Sequence, residues 1–259
     1  MSLDHPGADV KPHSITRDAF LGGRLNLSQP RHGFRAGLDS VLLGTSLSEN
    51  RQDFIDIGAG VGTAALVALA HGARHATLVE IDPATAELAR ANVAANGFAE
   101  RAEVVTLDIL AAGAARIAAG LAPDRYDAVI ANPPFFAEAE GTLAPANSRR
   151  IARHMPAEAL DLWVKAAAGL AGPGAEILFI LPAERLGPLL AGFEKRFGAI
   201  TILPLSPRLG EKASRILLRG IKGSRAPLTL LPSRALHGPD GGFAPEFEAI
   251  FRGQDRLHW

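Results

Sequence analysis

From Asp53 to Ala131 the chain alternates between short β-branched apolar runs and longer helix-forming ones, with Gly, Pro or Asp at each change. Strand Asp53–Ile57 leads to helix Gly62–His71, strand Ala76–Ile81 and helix Pro83–Asn96. Strand Ala102–Leu107, helix Leu110–Ala119 and strand Tyr126–Ala131 follow. Pro83 suits a first helical turn, where no backbone donor is needed, and Gly97 suits the residue after a helix end. Strands separated by helices pair in parallel through right-handed crossovers, and the helices cover both faces of the sheet. This pattern constrains the fold more than any other feature: it predicts an α/β, doubly wound, mostly parallel Rossmann-like sheet.

The remainder extends it to seven strands. Helix Pro156–Leu170 ends at Gly172-Pro173-Gly174, and strand Glu176–Leu181, helix Ala183–Phe193 and strand Ile200–Leu203 continue the alternation. Ala213–Ile221 is reached through a loop, not a helix, so it is expected to be an antiparallel strand near one edge. Leu228–Leu231 reads as an edge strand and Pro245–Arg252 as a short terminal helix. Residues 1–18 read as a flexible tail, with 19–50 forming a hairpin and helix cap and 51–259 one large domain. Within the cap, Phe20–Leu27 is a hairpin turning at Gly22-Gly23, Gln29–Phe34 is a loop, and Val41–Leu47 is a helix with Asp39 or Ser40 near its N-cap.

Composition narrows the function classes. The 259 residues contain no cysteine, which excludes disulfides, thiolate nucleophiles and cysteine zinc sites; a cytoplasmic location fits. Twenty-seven basic residues balance 27 acidic ones, so nucleic-acid binding would have to come from a local patch. The N-terminus lacks the apolar core of a signal peptide, no run is apolar enough to span a membrane, and no metal is expected.

Asp53–Gly62 reads DFIDIGAGVG, an apolar strand followed by Gly58, Gly60 and Gly62 at a helix start. Such a turn brings backbone close to a ligand without Cβ atoms intruding, and nicotinamide, flavin and S-adenosylmethionine (SAM) proteins share it. Three acids sharpen the reading. Glu80 ends the second strand, where a carboxylate can accept bonds from ribose hydroxyls. Asp108 ends the third, where it can receive an adenine amino group, with Ile109 against the ring. Asp56 lies within the first strand, close enough to face an ammonium. Residue 63 is Thr where a dinucleotide fingerprint has its third glycine, and there is no phosphate-binding GxxxxGK[ST] loop. SAM, with a sulfonium and an ammonium but no pyrophosphate, suits this acid-lined loop better than NAD does.

Strand Tyr126–Ala131 runs directly into Asn132-Pro133-Pro134-Phe135. Two prolines remove two donors and fix φ, so the exit is stiff and cannot extend the ladder. The fourth strand's exit should lie beside the glycine loop, at the carboxyl edge of the sheet. The Asn132 side-chain oxygen and the Pro133 carbonyl can each accept one N–H of a planar amine, which turns its lone pair toward a methyl donor. Phe135 can stack on the ring, a contact worth about 1–3 kcal/mol. Such a site needs no strong general base.

With DIGAGVG, VEIDP, DIL and NPPF in this order, the chain resembles class I SAM-dependent methyltransferases acting on planar amines. It is similar in particular to the bacterial tRNA adenine-N6 methyltransferases that modify the adenosine beside the anticodon of a valine tRNA. The similarity extends to Gln29-Pro30 through Gly33-Phe34, Asp39–Leu43, Arg150–His154, Pro207-Arg208-x-Gly210 and Arg215–Gly223. The resemblance implies that Asp56, Gly58, Gly60, Glu80, Asp108, Ile109 and Asn132 contact SAM, while Asn132, Pro133, Pro134 and Phe135 hold the target amine. It also implies that Phe34 to Asp39 close over the methionine end. Arg149, Arg150 and Arg153 in the loop after Phe135, and Arg208, Lys212 and Arg215 near another sheet end, are two clusters either of which can contact RNA phosphates. Other acceptors fit the same chemistry: guanine N2 in rRNA, adenine in DNA, a protein glutamine or a small molecule. An NAD- or SAM-binding regulatory module is the alternative of another class.

Overall fold

A computed structural model describes residues 15–31, 35–134 and 157–259. An antiparallel hairpin of β1 (Ile15–Phe20) and β2 (Leu25–Pro30) precedes helix α1 (Leu38–Ser46). The alternation then appears as β3 (Asp53–Ile57), α2 (Thr63–Ala70), β4 (His75–Glu80), α3 (Pro83–Ala95), β5 (Ala102–Thr106), α4 (Gly113–Ala118) and β6 (Tyr126–Ala131). After it come α5 (Ala157–Leu170), β7 (Ala171–Pro182), α6 (Leu186–Glu194), β8 (Phe197–Ser206) and β9 (Arg215–Lys222). Two-residue strands β10 (Thr229–Leu230) and β11 (Arg234–Ala235) and helix α7 (Pro245–Phe251) finish the chain.

The main sheet runs β10-β8-β9-β7-β6-β3-β4-β5, with β11 also paired to β8. Seven strands form its body, and the two short ones extend it beside β8. Among the described strands of this sheet only β9 is antiparallel to its neighbours, as expected for a strand reached without a crossover helix.

Strand alternation divides the core into two layers. Phe54, Leu78, Ala128, Ile130 and Leu178 face α1, α2, α3 and α7, whereas Ile55, Val79, Val129, Ala131 and Phe179 face α5 and α6. Each large side chain so buried contributes about 1.5–3 kcal/mol. In the central strand β6, Asp127 alone is exposed, which explains its near-continuous apolar sequence.

Several boundaries differ from the sequence reading. The tail expected to reach residue 18 gives way to a strand at Ile15, and the Gly22-Gly23 turn is a short 3-10 segment, Leu21–Gly23. Gln29 and Pro30 belong to β2, not to a loop. Gly172-Pro173-Gly174 lies inside β7. The pairing jumps from Tyr126 opposite Ala171 to Ala128 opposite Glu176, so an irregularity absorbs the proline that cannot donate. Helix α4 starts three residues late because Asp108 makes a local turn first, receiving Leu110 N–H at 2.9 Å. No described helix is long and apolar enough to cross a membrane.

Candidate active site

Register brings the sequence-predicted residues to one edge. Ile57 of β3 lies opposite Ala131 of β6 and Val79 of β4, and Glu80 lies opposite Thr106 of β5. Asn132, Gly58, Glu80 and Asp108 therefore leave four adjacent parallel strands at their carboxyl ends. The outer two strands are about 14 Å apart, three sheet spacings. Chain order reverses between β3 and β6, the switch point at which open α/β sheets form a ligand crevice.

The glycine loop is held by its neighbours. Gly58 and Ala59 donate to the Val79 carbonyl at 2.8 and 2.9 Å, and Gly58, Gly60 and Gly62 all have positive φ. Gly58 and Gly62 are also required by packing. A Cβ on Gly58 would lie 2.6 Å from Trp163 of α5, and one on Gly62 would lie 2.8 Å from Leu78. A Cβ on Gly60 would meet no described residue within 4 Å, so that side of its backbone borders open space. Its N–H donates to Glu80 Oε2 at 2.9 Å, and Asp82 N–H donates to Glu80 Oε1 at the same distance. Glu80 thus ties the glycine loop to the start of α3, which Asp82 caps through Thr85 N–H at 2.8 Å.

Asp56 is 2% exposed. Burial pushes its carboxyl up to about 7; the Ala65 backbone N–H pulls it down, and the negative charge of Glu80 adds to the rise. Among the described residues its Oδ2 has no hydrogen-bond partner, and neither does the buried Thr63 hydroxyl two residues past Val61 in the same turn. An unpaired buried carboxylate oxygen is costly, and a cationic ligand group would offset that cost. Asp108 keeps one oxygen on Leu110 N–H, and Ile109 beside it is buried. Asn132 is half-buried and Pro133 is buried, so the exit from β6 is anchored at the proline.

The N-terminal segment is fastened to this edge. Asn92 of α3 receives Ser28 N–H at 2.7 Å and donates to both the Ser28 and Val61 carbonyls, linking the hairpin to the glycine loop. Gln29 bonds Asp18 and accepts Ala36 N–H, while Arg35 pairs with Asp18 at 2.6 Å. Asp39 receives Arg215 Nε at 2.8 Å, so this acid and the start of β9 hold each other. The sequence reading missed Asn92 and Trp163 as partners of the site, and it read Arg215 as a phosphate contact where the structure pairs it with Asp39. Asn92 had a visible signal, a polar residue amid the buried Ala86, Ala89 and Val93 of α3. Phe34, Phe135, Arg149, Arg150 and Arg153 lie outside the described residues.

The methyltransferase small-domain family matches residues 36–158. A tRNA1(Val) (adenine(37)-N6)-methyltransferase of Porphyromonas gingivalis is 32% identical, the match covering 89% of this chain and 92% of the relative. The chain belongs to this methyltransferase family. A protein of the same name from an Enterobacter species is 28% identical, over 80% of this chain and 89% of its own length. The crystal structure of a predicted O-methyltransferase from Agrobacterium tumefaciens aligns with a TM-score of 0.68 at 28% identity, covering 85% of this chain and 98% of that one.

The methyltransferase is SAM-dependent, and the residues at its carboxyl edge fit that donor. The orphaned Asp56 oxygen and Thr63 hydroxyl suit an ammonium; Gly60 leaves room for ligand against backbone; Glu80 and Asp108 end successive strands, where hydroxyl and amino donors of a nucleoside can be received.

Proposed function

We propose that this enzyme methylates the N6 amine of an adenine in tRNA, and that the adenine beside the anticodon of a valine tRNA is its target. The observation that carries the reading is the register of β6 with β3: Ala131 opposite Ile57 puts Asn132 next to Gly58. The names of the relatives, similar over most of the chain, support the tRNA substrate.

SAM supplies an electrophilic methyl group on a sulfonium centre. Asp56, Gly58, Gly60, Glu80, Asp108 and Ile109 hold the donor: acids at the ammonium, ribose and adenine ends, glycine backbone between them. Asp39, paired with Arg215, anchors the start of α1 at the methionine side. Asn132 and the Pro133 carbonyl each accept one N–H of the target amine. That grip counters delocalisation of the nitrogen lone pair into the ring and aims it along the line of attack, so positioning supplies most of the rate. As the nitrogen–carbon bond forms, the carbon–sulfur bond breaks with its electron pair going to sulfur. The methylated nitrogen, now cationic and acidic, gives its extra proton to water. A neutral amide therefore suffices, because the amine needs orienting before it needs deprotonating.

The test is transfer of labelled methyl to RNA from cells lacking the enzyme, followed by nucleoside mass spectrometry. N6-methyladenosine in tRNA is the expected product. Labelled SAM with no label in RNA, or label on another nucleoside, overturns the assignment.

A further inference from the structure

The loop between β8 and β9 leaves the same carboxyl edge as Asn132, because β8 is parallel to β6 and β9 returns antiparallel. With order β6-β7-β9-β8, its two ends lie about 10 and 14 Å from the strand that carries Asn132. That is the span of about three or four stacked nucleotides at about 3.4 Å each.

The base of the loop is pinned on several sides. Ser214 N–H donates to Leu205 O at 2.9 Å, Ala183 N–H to Ser214 O at 3.1 Å, and His237 N–H to Pro207 O at 3.0 Å. Arg215 at its end is the partner of Asp39. Glu211 N–H closes a turn onto Arg208 O at 3.1 Å, with Gly210 at φ 81°. On this braced tip stands Leu209, 91% exposed, the most exposed large apolar side chain among those described; the next is Leu230 at 64%. Arg208 and Lys212 flank it, both exposed. Glu211 lies 3.7 Å from Arg208, but both are largely in solvent, so the pair leaves Arg208 available.

An apolar tip between two cations, on the edge where an adenine must be presented, matches nucleic acid better than protein. Cations meet phosphates, and an apolar side chain meets the face of a base. Chemistry on a base inside a stack requires its extrusion, which costs a few kcal/mol. Burying one leucine recovers an amount of that order.

Building on the RNA reading above, we propose that Leu209 is a wedge that packs against the base neighbouring the extruded adenine, with Arg208 and Lys212 on the adjoining phosphates. It replaces the stacking contact that the target leaves behind.

The test compares the full-length enzyme with Leu209→Ala and Leu209→Ser. Because Leu209 is almost fully in solvent, the unfolding midpoint and SAM affinity should not change. The kcat/KM for tRNA should fall about tenfold, the size expected for losing most of one buried leucine contact. A tRNA carrying 2-aminopurine beside the target should brighten when the wild-type enzyme binds and stay dim with either variant. Wild-type kcat/KM retained by both variants, or an equal rise in fluorescence with the variants, overturns the wedge while leaving the RNA assignment standing. Failure of the wild-type enzyme to methylate any RNA overturns both.

Discussion

Asp56→Asn replaces a buried carboxyl with a neutral group of nearly the same shape, and its effect on pH dependence follows from the structure. Burial places the wild-type carboxyl at about 7, against an ordinary value of 3.8. Between those values the folded chain holds a proton that the unfolded chain has released, so stability falls as pH rises through the window. Below it both forms are protonated, and above it both are ionised and the loss is complete. At about 1.4 kcal/mol per pH unit the whole window corresponds to about 4 kcal/mol, of which about 2 kcal/mol lies between pH 5 and 7. The Asn variant has no proton to lose. Urea unfolding of the ligand-free proteins should therefore show the wild type losing about 2–3 kcal/mol relative to the variant between about pH 5 and 7.5. SAM binding near pH 6 should release a proton from the wild type alone, read by calorimetry in buffers of different ionisation enthalpy. Parallel stability profiles for the two proteins would refute the reasoning, since Asp56 would then be ionised and compensated in the fold.

Three further outcomes are expected. Gly58→Ala forces a Cβ to within 2.6 Å of Trp163 at φ 72° and should destabilise by about 1–3 kcal/mol, with weakened SAM binding. Adding Trp163→Leu should recover part of both losses, as thermal unfolding and titration calorimetry would show. Asn132→Ala should lower turnover at least about a hundredfold while leaving SAM affinity within a few fold; loss of SAM binding instead would show that Asn132 serves mainly the donor and not the acceptor amine. Asn92→Ala leaves the Ser28 amide and the Val61 carbonyl without this partner and should cost about 1–3 kcal/mol, with faster hydrogen exchange at Ser28.

The alternation from Asp53 to Ala131, the positive-φ glycines and the acids at successive strand ends were legible in the sequence because they are local. A βαβ unit needs its strand, turn and helix residues at fixed offsets, so periodicity and punctuation reveal them. The stiff exit from β6 was legible for the same reason: two prolines constrain their own backbone wherever they are. Local rules failed where the surroundings decide. Gly172-Pro173-Gly174 is a helix terminator by composition, yet pairing with β6 carries it into β7.

Which residues brace the site was settled by tertiary structure. Asn92 and Val61 are 31 positions apart, Arg215 and Asp39 are 176, and no pattern within either segment names the other. The same holds for Gly58, whose constraint comes from an indole on α5 as well as from its own turn. The raised pKa of Asp56 arises from packing under α2 and proximity to Glu80, since a carboxyl's proton affinity reports the water and charge around it. Sequence alone determined the chemistry offered at each strand end; the sheet's order and register decided which of those ends meet.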